Sequence, residues 1–126
     1  MPPAKLLIGG AAATAALGVR VARTLYGRWR VLPEGDRRRI EPMAEDLKRR
    51  ALAVRGDSDP QRAGQDLRAA SETFAAALVE TAEANPEMDP EDVRELRDEL
   101  RRELERLAGA DIKASRRRPE RSNPSG

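Results

Sequence analysis

The feature that constrains this chain most is an uncharged segment near its start, Leu6 to Val19, with the sequence LLIGGAAATAALGV. Lys5 precedes the segment and Arg20 follows it. As a helix the segment is about 21 Å long, which falls short of the ~30 Å hydrocarbon core of a bilayer. If Lys5 and Arg23 extend their side chains toward headgroups, the reach increases to about 27 Å. The segment therefore predicts a helix that spans a membrane as a transmembrane anchor, lies flat on the membrane or packs into a protein core.

The residues that follow the segment favour the membrane interpretation. On a helical projection four arginines share one side, and the apolar residues, with the only Tyr and the only Trp, occupy the other, except that Val31 lies among the arginines. Arginines and aromatic rings beside an apolar stretch are typical of a membrane interface. We therefore predict an anchor helix over residues 1–32 that binds anionic headgroups. Its assigned side chains are Leu6, Leu7, Ile8, Leu17, Val19, Arg20, Arg23, Leu25, Tyr26, Arg28, Trp29 and Arg30.

The charges along the chain are unevenly distributed. Residues 1–40 hold eight basic and two acidic residues, residues 41–109 hold eleven basic and eighteen acidic, and residues 110–126 hold five basic and two acidic. More positive charge follows the uncharged segment than precedes it, which predicts that the bulk of the chain lies on the cytoplasmic side of the membrane. Arginine outnumbers lysine 21 to 3, a usage typical of a high-GC genome. A short Ala/Gly-rich start joined to an arginine-rich junction is similar to the layout of small membrane-associated bacterial proteins.

Composition predicts an all-α fold. Alanine supplies 21 of the 49 apolar residues, and there is one residue each of Phe, Tyr and Trp. β-Branched and aromatic residues are too few to cover two packed sheets. The chain has neither Cys nor His, which excludes disulfides, thiol nucleophiles and histidine metal ligands or bases. No phosphate-binding or dinucleotide-binding glycine motif occurs, so we predict a protein that is not an enzyme and uses no cofactor and no metal.

Three further helices are predicted near residues 36–55, 60–84 and 90–108. Asp59-Pro60 and Asp89-Pro90 combine an N-cap residue with a first-turn proline. Pro42 is either a first-turn proline of a helix that begins near Glu41 or the kink of a longer helix. Short connections favour an antiparallel three-helix bundle over residues 36–109.

The last predicted helix has a narrow apolar stripe. It consists of Val93, Leu96, Leu100, Leu104 and Leu107. These side chains are candidates for a partner surface or a short coiled-coil seam. An ordinary amphipathic helix folded onto its own chain gives the same pattern. A protein partner and a homo-oligomer both stay open, because an alanine-rich core buries little apolar area.

Residues 110–126 have no apolar periodicity and are predicted to be a disordered basic tail. Arg116, Arg117 and Arg118 could hold an anionic lipid or a nucleic acid, but no aromatic residue lies among them to stack on bases. The sequence thus predicts a non-enzymatic membrane-associated helical protein whose body acts as an interaction scaffold. The alternatives are a soluble helical adaptor and, less favoured, a nucleic-acid-associated protein that uses both basic ends.

Overall fold

The computed structural model describes the backbone of residues 2–122 and the side chains of residues 15–109. The described backbone contains helices, turns and no strand, which confirms the all-α prediction. A short 3-10 turn, Val54–Gly56, follows the third helix. The helices are α1 (Pro2–Arg30), α2 (Glu34–Arg39), α3 (Glu41–Ala53), α4 (Pro60–Ala84) and α5 (Pro90–Ser122).

The two Asp-Pro pairs begin helices as predicted. The Asp59 carboxylate accepts a hydrogen bond from the backbone N–H of Arg62 at 3.2 Å, and α4 begins at Pro60. The Asp89 carboxylate accepts one from the N–H of Glu91 at 2.9 Å, and α5 begins at Pro90. Each carboxylate satisfies a backbone donor that has no partner within its helix.

The helix predicted over residues 36–55 is instead divided into α2, α3 and the 3-10 turn. The division falls at Ile40, whose backbone is not helical (φ −118°, ψ 17°). Pro42 lies in the first turn of α3. A proline lacks the N–H of a helix interior but is accepted in a first turn. Of the two interpretations of Pro42, the first-turn proline is therefore confirmed.

The last helix continues beyond its predicted end. The sequence predicts an end near residue 108, just before Gly109, yet α5 extends to Ser122, so the backbone of residues 110–122 is helical where the sequence predicts disorder. No described glycine has the positive φ of a left-handed helix cap. Alanine, arginine and lysine are good helix formers even without an apolar stripe. Residues 123–126 lie outside the described part of the chain.

The helices α1, α3, α4 and α5 pack side by side. α1 runs parallel to α4, because a Cβ on Gly18 would lie 3.5 Å from Leu67 and one on Gly64 would lie 4.0 Å from Ala15. α3 and α5 are each antiparallel to α4, to which short connections join them. Both α1 and α4 contact α3 and α5, which lie on opposite sides of the α1–α4 pair.

The core of the described residues is one apolar cluster to which all four long helices contribute. Val21, Ala22 and Leu25 of α1 are at most 2% exposed. The sequence separated an anchor over residues 1–32 from a three-helix bundle over 36–109, but α1 is the fourth helix of this core. The largest fully buried side chains are those of Phe74, Leu25, Leu47, Leu67, Leu78, Leu100, Val21 and Ser71.

Small residues allow α1 and α4 to approach closely. Ala15 and Gly18 of α1 lie against Gly64 and Leu67 of α4. Ser71, one turn further along α4, is fully buried and its hydroxyl has no hydrogen-bond partner. An unsatisfied buried hydroxyl costs about 1–3 kcal/mol. The core is therefore narrow and includes one unfavourable polar group.

Candidate functional site

The structure divides the predicted anchor residues between the core and the surface. Leu25 and Trp29 are buried, Leu17, Val19 and Tyr26 are half-buried, and the four arginines are exposed. The side chains of Leu6, Leu7 and Ile8 lie outside those described. The apolar side of α1 is thus covered by the bundle from Ala15 onward, and its arginine side faces solvent.

The two aromatic residues of α1 bind their own chain. The Trp29 indole N–H donates a hydrogen bond to the carbonyl of Arg37 at 3.0 Å, which ties the end of α1 to α2. Tyr26 packs against Trp29 with ring centroids 5.2 Å apart, and the Lys48 ammonium lies over the Tyr26 ring at 5.7 Å from its centroid. The indole N–H therefore has its partner inside the fold and does not project from the surface.

One of the four arginines has a structural partner. The Arg28 guanidinium binds both oxygens of Glu99 on α5, one of them at 3.1 Å. A bidentate arginine–carboxylate pair fixes geometry well. Arg28 therefore ties α1 to α5, whereas Arg20, Arg23 and Arg30 make no ion pair in the described part of the chain.

The basic residues Arg20 and Arg23 of α1, Lys48 of α3 and Arg55 of the 3-10 turn are exposed, as is the aliphatic Leu52 of α3, and we call this set of five residues the basic face. α1 and α3 are antiparallel, and Lys48 lies beside Tyr26. Leu52 lies one turn after Lys48 and is therefore level with Arg23 of α1. Arg55 lies almost one further turn along the chain and is level with the turn of α1 that precedes Arg23. Leu52 is 70% exposed, one of two large apolar residues so exposed among those described.

The cations of the basic face have no anionic partners among the described residues. Two arginines of α3 outside the basic face do have an anionic partner. Arg49 and Arg50 both hydrogen-bond to Asp46, Arg50 at 2.8 Å. The bond from Arg50, and then that from Arg49, holds the pKa of the Asp46 carboxyl below its usual range. The positive charges of the basic face are therefore not neutralised by ion pairs within the described part of the chain.

Acidic residues are concentrated around the turn between α4 and α5. No group of three acidic residues in the described chain is arranged to hold a metal ion. These side chains are Glu80, Glu83, Glu87, Asp89, Glu91, Asp92 and Glu95. The turn between α4 and α5 is thus acidic, whereas α3 carries the exposed Glu41 and Glu45 as well as Lys48, and Arg55 follows it in the 3-10 turn.

The apolar stripe of α5 faces the core. Val93, Leu96, Leu100 and Leu107 are at most 8% exposed, and Leu104 is half-buried. A partner could not reach the four buried side chains while the bundle is folded. An amphipathic helix that packs on its own chain accounts for the stripe, because the same spacing of apolar residues suits a contact with the chain's own core and a contact with a partner.

The described part of the chain has open surface depressions whose walls are side chains that pack or pair within the fold. One of about 450 Å³ lies between α3 and α4, with Phe74 and Met43 below and Asp46, Arg50 and Asp66 at its rim. The hydroxyl of Thr73 in its wall donates to the carbonyl of Ala69 at 3.1 Å. The carboxylate most involved, Asp46, is held ionised by two arginines, which suits an ion pair better than proton transfer.

Sequence reasoning found the arginines of α1 but missed Lys48, Leu52 and Arg55. A signal was present, because Leu52 stands outside the apolar spacing of Leu47, Ala51 and Val54 and is therefore a leucine on a polar side. Its proximity to Arg23 depends on the pairing of α1 with α3, which no local pattern encodes.

In the described part of the chain no helix combines the length and apolarity needed to cross a membrane. No family model matches the chain, and comparisons with curated proteins and with solved structures give no match either.

Proposed function

We propose that this chain is a non-enzymatic, membrane-associated helical protein that binds an anionic lipid surface through its basic face. The single observation that carries the proposal is that α1 and α3 present exposed, unpaired cations together with the exposed side chain of Leu52. In this proposal α1 stays packed in the bundle and the molecule lies on the cytoplasmic side of the membrane, with α1 and α3 toward it.

The energetics favour reversible binding. A basic residue near an anionic membrane contributes about 1 kcal/mol, so four of them supply about 4 kcal/mol before any apolar contact. Insertion of Leu52 adds part of the ~1.5–3 kcal/mol available for full burial of such a side chain. Binding of this kind weakens with rising salt, because counterions screen the charges.

The composition of the basic face favours lipid over nucleic acid. Surfaces that bind single strands stack bases on exposed aromatic rings. In the described part of the chain Trp29 and Phe74 are buried, and Tyr26 is half-buried beneath Lys48. An exposed leucine among cations suits acyl chains and headgroups instead.

The two chain ends support the same proposal. The sequence from Leu6 to Val19 carries no charge, and Arg116, Arg117 and Arg118 are consecutive. An apolar segment and a polybasic segment in one chain are the two signals that stable surface attachment needs.

Vesicle flotation tests the proposal. We expect the intact chain to float with phosphatidylglycerol-containing vesicles and not with pure phosphatidylcholine vesicles. The triple variant Arg20→Glu, Arg23→Glu, Arg55→Glu should lower the partition coefficient by at least about 100-fold, since each lost cation removes about 1 kcal/mol.

The matched control is Arg62→Glu, Arg94→Glu, Arg102→Glu, which gives the same net charge from exposed arginines outside the basic face. The control should retain most of the binding. Equal binding by both triple variants, or a preference of the intact chain for duplex DNA over the vesicles, would contradict the proposal.

A further inference from the structure

A shallow groove runs between α4 and α5 on the side of the bundle away from the basic face. Its volume is about 590 Å³. Its floor is apolar and built from small residues, and charged side chains form its rims. Residues that line the groove include Glu72, Ala76, Val79, Arg97, Arg101 and Leu104.

The groove is incompletely covered by its own chain. Ala76 is exposed, and Val79 and Leu104, which pack against the core, are only half-buried. Alanines in the floor allow another helix to approach closely, because they add little bulk beyond the backbone. The described helices do not fill this space.

A cross-helix contact fixes the register of the two walls. Arg97 of α5 forms an ion pair with Glu83 of α4. Because the helices are antiparallel and rise equally per residue, Arg101 is level with Val79 and Glu80, and Leu104 is level with Ala76. At these three levels α4 carries an acidic or smaller side chain and α5 a basic or larger one, and Arg101 also forms ion pairs with Asp98 and Glu105 of its own helix.

We propose that the α4–α5 groove binds a second copy of this chain, related by a two-fold axis parallel to the helices. This rotation lays α4 of one copy over α5 of the other at unchanged height. Glu83 and Glu80 then face Arg97 and Arg101 of the second copy, and Leu104 fits against the small Ala76. The two-fold axis repeats each contact, so one surface supplies both halves of the interface.

The other face-to-face arrangement, with the axis perpendicular to the helices, fits less well. If this axis passes at the level of Leu104 and Ala76, Leu104 of one copy lies against Leu104 of the other, and the two Ala76 side chains face each other. The two leucines clash, and the two alanines leave a gap. This arrangement also brings Glu72 opposite Glu80. Like charges and mismatched volumes both oppose such packing. Charge and shape thus select the parallel axis.

The expected affinity is modest. A face two helices wide and about four turns long is smaller than the ~800 Å² per partner of a standard interface. We therefore expect a dissociation constant in the micromolar range. The apparent mass should rise with concentration from 13.9 kDa toward twice that value.

Single-cysteine variants test the geometry, because the chain has no native cysteine. A mixture of Ala76→Cys and Leu104→Cys chains should form a disulfide-linked dimer on mild oxidation, and neither variant alone should do so efficiently. Crosslinking of each variant with itself, without the mixed product, would overturn the proposal in favour of the perpendicular axis. A monomeric mass at millimolar concentration would overturn it altogether.

A charge exchange gives an independent readout. The variant Arg97→Glu, Arg101→Glu and the variant Glu80→Arg, Glu83→Arg should each be monomeric, and an equimolar mixture should regain dimers. Circular dichroism of each variant checks that the fold is retained, because an exposed ion pair contributes only about 0–1 kcal/mol. Dimers of equal strength in each variant alone would contradict the proposed contacts. The result does not depend on lipid binding, so it can fail while the proposed function stands.

Discussion

A chain that lacks residues 1–30 is expected to lose its cooperative fold. α1 supplies Val21, Ala22, Leu25 and Trp29 to the core. Its removal uncovers the α4 side chains that it covers, among them Leu67. Burying one such side chain is worth about 1.5–3 kcal/mol, and the net stability of a domain is only about 5–15 kcal/mol.

The measurement is the thermal transition of the shortened chain by circular dichroism. We expect a broad, non-cooperative loss of helix in place of a single transition. A peptide of residues 1–30 added in trans is the control, and it should restore the transition by occupying the vacated position. A shortened chain that melts as sharply as the intact one would show that residues 36–109 form a bundle by themselves.

This expectation affects how membrane binding can be tested. Deletion of the first helix changes the core and the basic face together, so a change in vesicle binding after deletion has two causes. Glutamate substitutions at exposed positions alter the charge alone. For that reason the flotation experiment compares surface variants of the full chain.

The substitution Leu25→Ala is expected to destabilise the protein by about 2–5 kcal/mol, the range for a buried leucine that leaves a cavity. Leu25 is 0% exposed, at the centre of the contacts of α1. The matched control is Leu52→Ala, the same change in α3 at a side chain that is 70% exposed. It should alter the free energy of unfolding by less than about 0.5 kcal/mol.

Urea denaturation of the two variants, analysed for the free energy of unfolding, checks this pair. The same proteins distinguish packing from lipid binding, because Leu52→Ala should weaken vesicle binding while Leu25→Ala, at temperatures where it stays folded, should not. A Leu25→Ala protein as stable as the intact chain would mean that α1 is not part of the core in solution.

Local signals allowed the helix starts to be predicted from the sequence. Asp59-Pro60 and Asp89-Pro90 act through hydrogen bonds within a few residues, so no tertiary information is needed. The end of α5 was harder to predict. Gly109 stops a helix only if its backbone turns left-handed, and here it stays helical.

The location of α1 could not be derived from the sequence because lipid and a protein core select the same apolar side chains. Leu25 and Trp29 suit a membrane interface by composition, yet both are buried by α3, α4 and α5. The decisive contacts, such as that of Gly18 with Leu67, join residues far apart in the chain. The arginine side of α1 was predictable, since it repeats within one helix, but Lys48, Leu52 and Arg55 join it only through the packing of α3.

The fluorescence of Trp29 gives the most direct test of the central claim, that α1 stays in the bundle while its outer side meets the membrane. Trp29 is the only tryptophan and is 7% exposed. When the chain is bound to phosphatidylglycerol vesicles, we predict that the emission maximum stays unchanged and that lipids brominated in their acyl chains do not quench it. A shifted emission with strong quenching by those lipids would contradict the account, because it would show that α1 had left the core and entered the bilayer.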